Sequence, residues 1–462
     1  MRAINQKGVI MNQKINIPEL PEYDHQPRPY AGPAFEEVMD MRRRYLTPSL
    51  LTFYKQPIMI VEGSMQYLYD EKGRRYLDGI GGIVTVSVGH SHPYIAEIVS
   101  QQYRTLVHNP PIYLNPIIAE YGKMLAQRLP GDLNVCYFVN SGSEANDLAM
   151  LMARIYTGNH DIIALRNGYH GGSQSTMGLT AHSTWKYNIH QGSGVRHTIF
   201  PDCFRGHYGY DDPEAGIKYA EDVKSVINHS TPGQVAGFFA EPIQGVGGAV
   251  VLPKGYLERA YQYIREAGGV CIADEVQTGF GRLGTDFWGF EYQGVMPDIV
   301  TMAKSIGNGS PLGAVVTTPQ IAAKLSQKIH FNTFGGNPVS CAIGKAVLEL
   351  IDKENLQENC LIMGNRMLEG FRRLKEKHEI IGDVRGSGLM SGVELVKNRQ
   401  TKEPATQECA DIFEALKDLG LLVGKGGFYG NTLRIKPPMC IHEKDVDFML
   451  AVLDIAIKKV VG

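Results

Sequence analysis

Residues Pro297–Gly313 read PDIVTMAKSIGNGSPLG. A β-branched apolar run, Ile299 to Met302, leads into Ala303-Lys304 and then a polar, Gly-rich loop. The run predicts a buried strand, and lysine is rarely found at the end of one without a partner or a task. One task fits. Desolvation lowers the pKa of the amine and frees it as a nucleophile for an imine to a carbonyl cofactor. The plain alternative is a strand-end lysine that snorkels to the surface. The rest of the chain decides between the two.

Other short apolar strand candidates are Val135–Val139, Asp161–Leu165, Val235–Ala240, Gly269–Ala273 and Gly313–Thr317, most of them separated by patterns of helical period. The alternation predicts an α/β fold with a mostly parallel sheet covered on both faces. Upstream, Glu71-Lys72-Gly73 marks a hairpin turn, and residues 94–128 read as helical with a break at Asn109 to Pro111. The period is helical again from Pro338 through Leu374, and Val384 to Leu395 opens a smaller α+β region that runs to the end. Residues up to Pro33 are polar and Pro-rich, suited to wrapping a surface or a partner subunit.

A chain of 462 residues is long enough for two or three domains. Its net charge of −2 gives no reason to expect a nucleic-acid or anionic-membrane partner. Seven cysteines with no C-x-x-C pair read as free thiols in a reducing compartment. No apolar run approaches membrane-spanning length. The N-terminus carries Arg2, Lys7 and Lys14 but lacks the apolar core of a signal peptide and is poor in Ser and Arg for a transit peptide. Met11 is a second candidate start. Cytoplasm is the expected address, with the mitochondrial matrix as the alternative.

In a doubly wound sheet, ligands bind beyond the carboxyl ends of the strands. Val135–Val139 is followed by Asn140-Ser141-Gly142-Ser143-Glu144-Ala145-Asn146, either an anion site at a helix N-terminus or a plain capping box. Gly269–Ala273 is followed by Asp274-Glu275-Val276-Gln277. Asp274 can hold a proton on the ring nitrogen of pyridoxal phosphate, or it can cap the next helix. Near the end of Asp161–Leu165, Tyr169 can stack on a planar ring or pack as an ordinary aromatic. His170 is a second candidate there, or a solvated histidine. Glu241, at the end of Val235–Ala240, would point at the same crevice. Two motifs are set aside. His90 and His92 of GHSHP lack carboxylates or cysteines at ligand spacing, so they read as a helix-entry loop and no metal is expected. Gly386-Ser387-Gly388-Leu389 lacks the spacing of a dinucleotide turn.

One lysine, one aspartate and one Gly/Ser turn on separate strand ends are far more specific together than singly. With SGSEAND, GYHGG, AEPIQG, IADEVQTGFGR, AKSIGNGSPLGAV, TFGGNPVSCA, VRGSGLMSGVEL and LRIKPP, the chain resembles the class III (subgroup II) aminotransferases of the type I pyridoxal-phosphate fold, from about Pro57 to Val452. Within that class it looks most like the alanine–glyoxylate branch of the mitochondrial type. The resemblance implies an N-terminal segment, 1–84, that is part of the small domain. A large cofactor domain, 85–345, and a C-terminal small α+β domain, 346–462, follow. It also implies that Lys304 is the Schiff-base lysine and general acid–base, Asp274 the partner of the pyridine nitrogen and Gln277 a neighbour of the ring hydroxyl. Ser141, Gly142 and Ser143 would hold the phosphate, Tyr169 would stack on the ring, and His170 and Glu241 would complete the cofactor site. Thr333 would reach the phosphate of a neighbouring subunit's cofactor, so the active sites would be shared within a homodimer, which could pair into a tetramer. Arg434, with Phe53 and Ile83, would bind the substrate, Arg434 taking its α-carboxylate.

Relatives that use 2-oxoglutarate carry an arginine and a glutamate where this chain has Gly172 and Val246. The reading is therefore that Arg434 has no built-in mask and the pocket no second matched cation. Alanine or a short β-amino acid is the expected donor, and glyoxylate or pyruvate the expected acceptor, in a ping-pong transamination. A 4-aminobutyrate or ω-amino-acid aminotransferase, an aminomutase or decarboxylase of the same fold, and a non-catalytic scaffold are the rival readings.

Overall fold

A computed structural model describes residues 18–462. The candidate start at Met11 and the basic residues before it lie outside the described residues. The central sheet has seven strands: β1 (Val135–Val139), β2 (Ile162–Leu165), β3 (Val195–Thr198), β4 (Gly237–Ala240), β5 (Val270–Asp274), β6 (Ile299–Met302) and β7 (Gly313–Thr317), in the order β1-β7-β6-β5-β4-β2-β3. All strands run parallel except β7, which is antiparallel to both neighbours. Strands β2, β4, β5, β6 and β7 are buried along their whole length. That explains their continuous apolar runs, because helices cover both faces. Helix Gly142–Thr157 packs on one face, and helices Ala215–Ser230 and Tyr256–Glu266 pack on the other. The antiparallel course of β7 has a simple cause. Only residues 303–312 join it to β6, too few for a crossover helix.

Around this core lie two four-stranded sheets, besides a two-stranded ribbon of Ile243–Gln244 and Val250–Val251. Strands Tyr67–Asp70 and Arg75–Asp78 form the hairpin turned at Gly73, which sits at φ +77° where glycine is favoured. Leu421–Leu422 pairs in parallel with the second of these strands, so residues from both ends of the chain share one sheet. Segment 18–33 has no regular structure and lies against this hairpin: Tyr23 packs on Tyr67 at 4.8 Å, and His25 bonds Glu62 at 2.8 Å. The second sheet is antiparallel, in the order Ile381–Ser387, Met390–Leu395, Thr432–Ile435, Gly424–Gly426. Gly386-Ser387 ends the first strand of its first hairpin and Gly388-Leu389 makes the turn, where a Cβ on Gly388 would lie 2.4 Å from the Arg282 carbonyl oxygen. Packing against a carbonyl, not against a nucleotide, accounts for these glycines. In GHSHP, His92 caps helix Pro93–Thr105 by accepting from the Tyr94 N–H at 3.2 Å, and His90 pairs with Asp78 at 2.7 Å. Among the described residues no helix is long and apolar enough to cross a membrane.

Candidate active site

The carboxyl ends of β1, β2, β4, β5 and β6 converge on a cavity of about 190 Å³. Nine of the residues singled out in the sequence line it: Ser141, Gly142, Ser143, Tyr169, His170, Glu241, Asp274, Gln277 and Lys304. A larger cavity of about 280 Å³ lies elsewhere, around Arg205 and Glu394, and holds none of them.

Lys304 stands just beyond β6 with its backbone at φ +51°, a left-handed conformation that costs a non-glycine residue about 1–3 kcal/mol. The surrounding fold therefore fixes it. The side chain borders the cavity but is otherwise enclosed, and burial lowers its pKa to about 8; Asp274 and Glu241 oppose that shift, and Arg434 adds to it. Against the snorkelling alternative, the lysine is half-buried and lines this cavity.

In the same cavity, Ser141 caps helix Gly142–Thr157 by accepting from the Glu144 N–H at 3.2 Å, while Glu144 reaches back to the Asn140 N–H at 2.9 Å. The capping arrangement and the anion turn coexist. Capping engages the Glu144 N–H, and the N–H groups of Gly142 and Ser143 have no partner within the helix. Ser143 Oγ accepts from the Gly172 N–H at 3.2 Å. Gly171, at φ +126°, lies so close that a Cβ would stand 2.5 Å from that oxygen.

Asp274, at the end of β5, is buried. Its Oδ2 accepts from Asn146 Nδ2 at 2.9 Å and from His170 Nδ1 at 2.7 Å; His170 must be the donor, since a carboxylate only accepts. Oδ1 accepts from the Val276 N–H at 3.1 Å. No helix follows for Asp274 to cap: the next one is Gly289–Tyr292, and Glu275 takes its first N–H groups at 2.9 and 2.8 Å. His170 is fully enclosed and not solvated. Burial opposes its protonation, but the hydrogen-bonded Asp274 carboxylate outweighs that, and its pKa is raised. Glu241 accepts from the N–H groups of Tyr169 at 3.0 Å and Gly245 at 2.8 Å. Burial raises its pKa, with the neighbouring His170 working against the shift. Tyr169 meets Trp185 edge-on at 5.3 Å while lining the cavity.

Arg434 arrives from the small antiparallel sheet. It is buried, its Nη2 donates to the Lys425 carbonyl at 3.0 Å, and its Nε has no partner. Burial lowers its pKa to about 10, with Glu241 opposing. Two residues escaped the sequence reading. Asn146 lies one helical turn after Gly142 and Ser143, on the same helix face, a spacing that could have found it. Lys436 sits two residues beyond Arg434, and alternation along the strand puts both on one face. Lys436 is a second basic group close to Arg434, although it does not itself line the cavity. It is fully buried, and its Nζ donates to Gln277 Oε1 at 3.0 Å and the Gly245 carbonyl at 3.3 Å. Burial, with Arg434 and Lys304 nearby, holds its pKa well below the usual value. Thr333, Phe53 and Ile83 do not line the cavity of their own chain; all three are exposed. Phe53 meets Phe413 edge-on at 6.3 Å, and Ile83 sits in a tight turn at φ +62°.

The model of the family "Aminotransferase class-III" matches residues 53–457. The chain belongs to the class III aminotransferases. It is 53% identical over 440 residues to "Alanine--glyoxylate aminotransferase 2 homolog 2, mitochondrial" of Arabidopsis thaliana, covering 95% of this chain and 91% of that one. It is 47% identical over 455 residues to "Alanine--glyoxylate aminotransferase 2, mitochondrial" of Homo sapiens, covering 94% and 88%. Among solved structures, a phospholyase from Arthrobacter in complex with phosphoethanolamine superposes with a TM-score of 0.86 at 33% identity, covering 91% of this chain and 99% of that one. The class III enzyme described here is a pyridoxal-phosphate-dependent aminotransferase of the type I fold. The cavity suits that cofactor. An anion turn, an amine of lowered pKa and a buried carboxylate correspond to its phosphate, carbonyl carbon and ring nitrogen, and the unpartnered His170 Nε2 and Asn146 Oδ1 lie beside that carboxylate.

Proposed function

We propose that the enzyme moves an amino group from alanine, or from a short β-amino acid such as 3-aminoisobutyrate or β-alanine, to glyoxylate or pyruvate in a ping-pong reaction. The observation that carries this reading is Arg434: a buried guanidinium with no ion pair among the described residues, in a chain whose positions 172 and 246 bear no charge. The names of the two curated relatives agree with it.

When bound, pyridoxal phosphate supplies an electron-withdrawing ring that stabilises negative charge at the donor's α-carbon. The remaining work falls to the chain. Lys304 Nζ would hold the cofactor at rest and, released as a free base, would move the proton from the donor's α-carbon to the cofactor's C4′ carbon. Asp274 holds a proton on the ring nitrogen, and the hydrogen bonds from Asn146 and His170 keep its carboxylate in place. Ser141, Gly142 and Ser143 hold the phosphate, Tyr169 stacks on the ring, and Gln277 faces the ring hydroxyl. Arg434 binds the carboxylate of donor and acceptor in turn, a task suited to the planar fork of arginine.

The functional unit in this reading is a homodimer. Ile112, Tyr113, Leu114, Ile329, Phe331 and Phe334 are all exposed, a set of large apolar side chains suited to a partner surface, and Thr333 stands between the last two in sequence. Across that interface Thr333 reaches the partner's cofactor phosphate, while Phe53 and Ile83 join Arg434 at the substrate. The division into segments 1–84, 85–345 and 346–462 belongs to the same reading, as does a reducing compartment, cytoplasm or mitochondrial matrix; all seven cysteines are free.

The test is stoichiometry. Alanine plus glyoxylate should give pyruvate and glycine one for one, with no turnover when the keto acid is left out. Rearrangement of a β-amino acid without any keto acid would establish an aminomutase instead.

A further inference from the structure

Lys436 has no acidic partner among the described residues, yet it is fully buried beside two other cations, Lys304 and Arg434. Its hydrogen bonds show what it does. Nζ donates to Gln277 Oε1 at 3.0 Å and to the Gly245 carbonyl at 3.3 Å. Gly245 is itself pinned, its N–H bound to Glu241 at 2.8 Å. It also lies flat against the Gln277 amide: a Cβ there would stand 2.4 Å from both the amide nitrogen and the amide oxygen. An amide has two ends of opposite character, and its orientation follows from its partners. With Oε1 committed to Lys436, Nε2 is the end with no protein partner among the described residues, on a side chain that lines the cofactor cavity.

We propose that Lys436 is a positioning residue: by donating to Gln277 Oε1 it turns the amide so that Nε2, a donor, faces the ring hydroxyl of the cofactor. The inference rests on the assignment of Gln277 to that hydroxyl. A donor at the hydroxyl oxygen favours its negative charge, and losing the donor raises the pH at which the cofactor's visible absorption band titrates. Without Lys436 the amide is free to present its carbonyl, so the same band should respond.

The experiment titrates that band in the holoenzyme of wild type, Lys436→Met, Gln277→Ala and the double variant. Each single variant should raise the midpoint by about 0.4–1 pH unit, the worth of one hydrogen bond. The double variant should move it no further than the larger single one. Additive shifts would mean that Lys436 acts through charge alone and would overturn the proposal. A shift for Gln277→Ala with none for Lys436→Met would overturn it while sparing the Gln277 assignment. No shift for Gln277→Ala would overturn that assignment, and the proposal with it. Should Lys436→Met not fold, Gly245→Ala displaces the same amide from the other side. It should give the same rise and the same non-additivity with Gln277→Ala, and an unmoved midpoint would again overturn the proposal.

Discussion

Two buried arginines stand in one row of the small antiparallel sheet. Arg385 lies opposite Gly392, and Gly392 opposite Arg434, so both side chains leave the same face with a glycine between them. Arg385 is saturated: Asp383 at 2.9 Å, Glu394 at 2.6 Å and the Gly248 carbonyl at 3.0 Å take its donors. Burial works against its charge, but Glu394, Asp383 and Asp202 more than compensate, and its pKa is raised. Arg434 has one carbonyl and an orphaned Nε, and its pKa is lowered. Loop 245–249 lies between them, close enough to Gly392 that a Cβ there would stand 2.5 Å from the Gly248 carbonyl oxygen. A buried cation that is fully paired is structural. One left short of acceptors is destabilising by itself, and it is explained by a carboxylate that comes and goes.

The same contrast separates the two halves of the active site. The strand-end half, with Asp274 held by Asn146 and His170, is arranged for a group that stays. The Arg434 half is arranged for groups that exchange. Breaking the first half should have the largest effects. Lys304→Ala should abolish turnover, and borohydride reduction of the wild-type holoenzyme should fix the cofactor to the Lys304 peptide; a label on any other lysine would sink the assignment. Asp274→Ala strands His170 and removes the partner of the ring nitrogen. Loss of one member of a buried ion pair costs about 3–5 kcal/mol, and if that falls on the barrier, rates drop by about 10²–10³ or more. A variant within a few-fold of wild type would show Asp274 to be a structural turn residue.

Breaking the exchanging half should cost less and should spare the cofactor. Arg434→Ala is expected to weaken both half-reactions by about 2–5 kcal/mol, the cost of truncating one partner of a desolvated charge pair. The cofactor absorption spectrum should be unchanged, and single-turnover kinetics with donor and acceptor separately would reveal a defect confined to one of them. The pH dependence addresses the fixed half again. Lys304 must lose its proton to attack the cofactor carbonyl, and burial sets that loss near pH 8. Cofactor uptake by the apoenzyme should therefore accelerate as the pH rises toward about 8 and level off above it, falling about tenfold per unit well below. A midpoint near the ordinary lysine value would mean that the site opens to water without its cofactor.

The fixed half was largely legible in the sequence because its signals are local. A β-branched run ending in Lys304, another ending next to Asp274, and Ser141-Gly142-Ser143 at a helix start each fit within a few residues. What escaped is non-local. The sequence of β3, VRHT, is a polar edge strand that alternation alone does not distinguish from loop. Strand direction is not written in an apolar run either, although the short connection before β7 restricted it. Asn146 and Lys436 were within reach through helical and strand periodicity, but their partners, Asp274 and Gln277, come from a different strand end, and only the folded chain brings them together. Thr333 acts, in the proposed reading, on a neighbouring subunit, and Phe53 and Ile83 are exposed and outside the cavity lining, so one chain does not assemble them.

The smallest expected effect tests why Arg434 is left exchangeable. In relatives that use 2-oxoglutarate, a glutamate covers the equivalent arginine and a second arginine takes the distal carboxylate. Here position 246 lies beside Arg434: the Val246 carbonyl accepts from the Gly427 N–H at 3.1 Å, and Gly426 is so close that a Cβ would stand 2.6 Å from Arg434 Nε. A Val246→Glu carboxylate would thus have the guanidinium as its neighbour. Position 172 is open, since a Cβ on Gly172 meets nothing within 4 Å, so the first atom of an introduced arginine has room. Lys436 does not replace it as a cation, because it is tied to Gln277 and Gly245 and burial beside Arg434 and Lys304 holds its pKa well below the usual value. Wild type should favour glyoxylate and pyruvate over 2-oxoglutarate by about 1–2 kcal/mol or more, roughly 5–30-fold in kcat/KM at fixed donor. Gly172→Arg with Val246→Glu should narrow or reverse that ratio, while Val246→Glu alone should depress every acceptor by giving Arg434 the permanent partner that Arg385 already has. A wild type that prefers 2-oxoglutarate would break the comparison between the two arginines at its base, because Arg434 would then need no uncharged surroundings to do its work.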